Sequence, residues 1–91
     1  KDCTMEISVT RSQYSALMDI YGPPSNIHSM IMLCRFEGKD HILKGESEDF
    51  DDLLSLISEE IGEGMCTKAN GRYLLAVCKK IDPSSLDWIG M

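Results

Sequence analysis

Ninety-one residues, 43% of them hydrophobic and 26% charged, fit one ordinary globular domain, and 1–91 is read as a single unit. The formal charge of −6 argues against non-specific binding to nucleic acid or to an anionic membrane surface. No apolar run approaches the length of a transmembrane helix, and the opening residues do not follow a signal-peptide pattern.

Cys3, Met5, Ile7 and Val9 alternate with polar residues, the two-residue period of a half-buried strand. Thr10-Arg11-Ser12-Gln13 then forms a capping box, with Val9 and Tyr14 placed as its hydrophobic staple. A helix over 11–21 follows, carrying Leu17 and Met18, and Gly22-Pro23-Pro24 stops it. His28 to Phe36 is apolar on both alternating faces, as expected of a central strand. Glu37-Gly38-Lys39-Asp40 reads as a hairpin loop, and His41 to Lys44 as a shorter, more polar returning strand.

Glu46 to Gly64 is the most strongly patterned stretch. Phe50, Leu53, Leu54, Ile57 and Ile61 fall at i, i+3, i+4, i+7 and i+11, which predicts a helix over 48–61 with one apolar stripe. Ser47 is its expected N-cap, and the acids of the first turns offset the positive end of the helix dipole. Asn70-Gly71 before an apolar run signals a type I′ hairpin, joining a short strand at Met65–Lys68 to a second two-sided strand, Arg72 to Lys79. Asp82, with Pro83 after it, starts a short C-terminal helix in which Leu86, Trp88 and Ile89 supply apolar surface.

These elements predict an α+β domain. Its mixed sheet has four to five strands, with 28–36 and 72–79 central, and its main helices are 11–21 and 48–61. The order β-α-β-β-α-β is that of a ferredoxin-like sandwich, but that fold centres strands that are the least apolar ones here. Residues 28–79, read as β-β-α-β-β around the acidic helix, resemble a β-grasp core in element order and burial pattern. In both arrangements the far face of the two-sided strands needs a cover. The N-terminal helix, the Trp88 tail or a second subunit, giving a homo-oligomer through a sheet face, would supply it.

The chemistry-bearing residues form no reactive constellation. Cys3, Cys34, Cys66 and Cys78 lack C-x-x-C and Cys/His ligand spacing, and reduced thiols in a cytoplasmic protein are expected. The acids Glu46, Glu48, Asp49, Asp51 and Asp52 lack the glycine turn of a calcium loop, so no metal is assigned. No phosphate loop or other cofactor motif is present. Cys34 and Cys78 sit among apolar neighbours, which leaves Cys66 or His41 as the reactive residue of an alternative reading as a small enzyme or enzyme subunit.

Residues 46–63 hold eight acids and no base, whereas 64–81 hold Lys68, Arg72, Lys79 and Lys80 and no acid. The exposed carboxylates Glu48, Asp52, Glu59 and Glu60 are therefore the candidate partner-binding residues, against the plainer role of a solubilising helix face. The leading expectation is a non-catalytic protein-interaction or regulatory module with a protein partner or a second copy. A further alternative is an acidic decoy that occupies a nucleic-acid-binding site on another protein.

Overall fold

The computed structural model describes residues 4–20, 22–64 and 66–84. The order is β1 (Thr4–Val9), α1 (Arg11–Met18), α2 (Ser25–Met32), β2 (Arg35–Glu37), β3 (Asp40–Glu46), α3 (Ser47–Gly62) and α4 (Lys68–Ile81). The architecture is α+β, four helices and a three-stranded antiparallel sheet of order β1-β3-β2.

Two segments differ in kind from expectation. Residues 28–36 are not a central strand: most of them belong to α2, and only Arg35 and Phe36 reach β2. Residues 72–79 lie within α4, and Asn70-Gly71 is part of its first turn rather than a hairpin. Both stretches are continuous apolar runs, which satisfy the helical and the strand period at once. The helical spacing is the one used, with Ile27, Met30 and Ile31 buried on α2 and Leu74, Val77 and Cys78 on α4. Capping decides the second case. Thr67 Oγ1 accepts from the Asn70 amide (3.1 Å) and starts a helix across the Asn-Gly pair. Among the described residues the sheet consequently has three strands rather than four or five, is antiparallel rather than mixed, and centres β3. Among the described residues neither the β-grasp nor the ferredoxin-like strand set is formed.

Other expectations agree with the structure. Thr10 and Gln13 make the reciprocal capping box of α1, which ends at Met18 rather than at residue 21. Gly38, at φ +62°, turns the β2–β3 hairpin in the left-handed region that glycine tolerates. α3 buries Phe50, Leu53, Leu54 and Ile57, although its N-cap is Glu46 and not Ser47. Asp82 Oδ1 accepts from the Ser84 amide and hydroxyl. Cys3, Met65, Leu86, Trp88 and Ile89 lie outside the described residues.

The sheet is one-sided. Ile7, Val9 and Leu43 face the helices and join Leu17, Ile27, Phe50, Leu53, Ile57, Leu74 and Val77 in one core. The opposite face carries Glu6, Ser8, Lys44 and Glu37, with Ile42 beneath the span of Arg35 to Glu6 (3.4 Å). An antiparallel sheet can present such a face to water. The apolar far face that called for a second subunit does not form, because the two-sided segments became helices.

Candidate functional site

The site is assembled by register. The capped start of α1 places Tyr14 against the core that contains Val9, and Val9 is the cross-strand partner of His41. The Tyr14 and His41 rings accordingly stack, with centroids 4.1 Å apart and planes inclined by 14°. Phe36 pairs with His41 from the other side of β3, and its ring meets the imidazole edge-on at 4.6 Å and 86°. Tyr14, from far upstream in the chain, and Phe36, from the facing strand of the same hairpin, thus converge on one imidazole.

The surroundings fix these groups unequally. The Tyr14 hydroxyl donates to the Ile31 carbonyl (3.3 Å). Burial, and then the hydrogen bond and charge of Cys34, push the phenol above its ordinary value, so it stays a protonated donor. Cys34 Sγ lies 3.9 Å from His41 Nδ1 and is half-buried. Beside these rings is an open groove of about 960 Å³ between α1 and the hairpin, lined by Tyr14, His41, Phe36 and Met18 and flanked by Arg11 and Lys39. That volume lies within the usual range for ligand sites. Phe36 is 69% exposed and Met18 47%, and Leu33, at 82%, sits just before β2.

The four acidic candidates are not one cluster. Glu48, Asp52 and Glu59, at i, i+4 and i+11, share the exposed row of α3. Asp52 is already engaged, because Asn26 Nδ2 donates to Asp52 Oδ2 (3.1 Å) and to Asp49 Oδ1 (3.0 Å). That amide, followed by the Glu46 N–H, holds the Asp49 carboxyl below its ordinary range. Glu60 lies apart, half-buried in a small crevice with Asp19, Cys66 and Asn70. Among the described residues, no three His, Cys, Asp or Glu side chains converge as metal ligands would.

His41 and Cys66 are also separated, since one lines the groove and the other the crevice. The thiol beside His41 is Cys34, which the sequence reading set aside because its neighbours in the chain are apolar. Cys78 is a buried thiol, pushed up to about 12 by burial. Tyr14 and Phe36 were missed as site residues. The signal for them was present in the staple Val9–Tyr14 and in the pairing of the hairpin around Gly38-Lys39. Among the described residues no helix is long and apolar enough to cross a membrane. No protein-family model, curated protein or solved structure matches the chain.

Proposed function

We propose that this chain is a small non-catalytic protein-interaction module that takes a protein partner in the groove between α1 and the β2–β3 hairpin. The observation that carries this reading is the exposed Phe36 set against the buried side of a Tyr14–His41 stack, with Met18 on the opposite wall. An aromatic side chain held rigid at the edge of a concavity is the usual anchor of a protein interface. The thiols of Cys34 and Cys66 support a reducing compartment such as the cytoplasm.

A second reading rests on the row Glu48, Asp52 and Glu59, with Glu60 on its flank. Carboxylates in a line along an exposed helix suit a basic partner or a protein whose nucleic-acid site they would occupy. Affinity capture with two variants separates the readings. Phe36→Ala combined with Met18→Ser should lose the partner that the wild-type chain retains. Reversal of Glu48, Asp52, Glu59 and Glu60 to lysine should keep it. The opposite pattern would transfer the function to α3, with salt-sensitive competition against DNA or RNA then testing the decoy form.

A further inference from the structure

The two edges of the sheet are treated differently by the rest of the fold. Gly38-Lys39 is a two-residue loop, so Glu37 and Asp40 exchange the hydrogen bonds that close the hairpin. The alternation of an antiparallel ladder then turns the Phe36 N–H and C=O away from β3, toward the free edge of β2. Carried across β3, the same alternation turns the main chain of Ser8, opposite Ile42, to the free edge of β1. There the Lys80 ammonium donates to the Ser8 carbonyl and, at 2.9 Å, to Gln13 Oε1. One edge is closed by a lysine from α4, a known protection against strand addition. Among the described residues nothing comparable reaches the edge of β2.

The sequence of that open edge is Arg35-Phe36-Glu37, which is complementary to itself when reversed. We propose that β2 pairs with β2 of a second copy, antiparallel about a twofold axis at Phe36, to give a six-stranded sheet across a dimer. In this register Arg35, which within its own chain pairs with Glu37 (3.0 Å) and Glu6 (3.4 Å), also stands opposite Glu37 of the second copy, and the exchange is repeated on the other side of the axis. The two Phe36 main chains exchange their hydrogen bonds, and the two rings lie side by side. A parallel pairing would set Arg35 against Arg35, and like charges directly opposite are unfavourable. The occupant is a second copy because both the charge order and the open main chain are symmetric about one residue, as an isologous interface requires.

A charge-swap series measured by light scattering after size exclusion tests this pairing. The wild-type chain should approach twice its 10.2 kDa mass as its concentration rises to about 1 mM, a range that detects even millimolar self-affinity. Arg35→Glu alone and Glu37→Arg alone should each stay monomeric with an unchanged circular dichroism spectrum. An equimolar mixture of these two variants should dimerise again, because each Glu then faces an Arg. A wild-type monomer throughout, a single variant that remains dimeric, or a mixture of folded variants that stays monomeric would each overturn the proposal. Phe36 serves both the groove and the dimer axis, but Arg35 and Glu37 do not line the groove, so these monomeric variants, which keep Phe36, should still capture the protein partner, and the two claims fail separately.

Discussion

His41 is where the chemistry of the groove is concentrated, because Tyr14 covers one face of its ring, Phe36 meets it edge-on, and Cys34 approaches Nδ1. Cys34 Sγ lies 3.9 Å from His41 Nδ1, and an imidazole beside a thiol is the kind of neighbour that generally raises thiol reactivity. In a Cys3→Ser background, an alkylating probe at neutral pH should therefore label Cys34 faster than Cys66. Cys78 should react only after unfolding, since burial holds it at about 12. His41→Ala should remove the advantage of Cys34. Peptide-level mass spectrometry gives all three rates, and equal labelling of Cys34 and Cys66 with His41 intact would end any chemical role for the pair. From the sequence, His41 and Cys66 stand as separate candidates and Cys34 as an inert thiol. The contact with Cys34 follows from the hairpin at Gly38-Lys39 folding back, whereas the apolar neighbours of Cys34 in the chain suggested an inert thiol.

At the scale of elements, legibility followed the clarity of the period. α3 was readable because its apolar residues keep one stripe and its acids the other, so only the helical period fits. β1 was readable from alternation, β3 from the hairpin loop before it, and the start of α1 from its capping box. α2 and α4 were not, because a run such as Tyr73-Leu74-Leu75-Ala76-Val77-Cys78 has no polar residue to choose a period. Leucine, alanine and methionine favour helix, and the run has few β-branched residues, so intrinsic preference was the better guide. Gly71 gives a prediction of opposite sign for the two readings. In α4 its φ is not positive, and an added Cβ would meet Cys66 Sγ at an ordinary 3.7 Å. Gly71→Ala should therefore stabilise the fold by about 0.5–1 kcal/mol in urea denaturation. A type I′ turn would need a positive φ there, and the same change would then destabilise.

Over the whole molecule, two layers suffice: helices on one side of a three-stranded sheet and a polar, hydrated face on the other. The misreading of α2 and α4 as strands propagated to this scale, creating a second apolar sheet face and a need to cover it. With those segments helical, that apolar material lies in the core, and the exposed apolar surface is concentrated beside the hairpin at Met32, Leu33 and Phe36. The acidic helix keeps its structural part, its carboxylates divided among the Asn26 bridge, the flank crevice and open solvent. The most direct test of the groove as the partner site is to titrate the captured partner into uniformly ¹⁵N-labelled chain and map the amide shifts. Perturbations gathered on Thr10–Met18 and Arg35–His41 are the predicted result, and perturbations gathered on the exposed row of Ser47–Gly62 would contradict it.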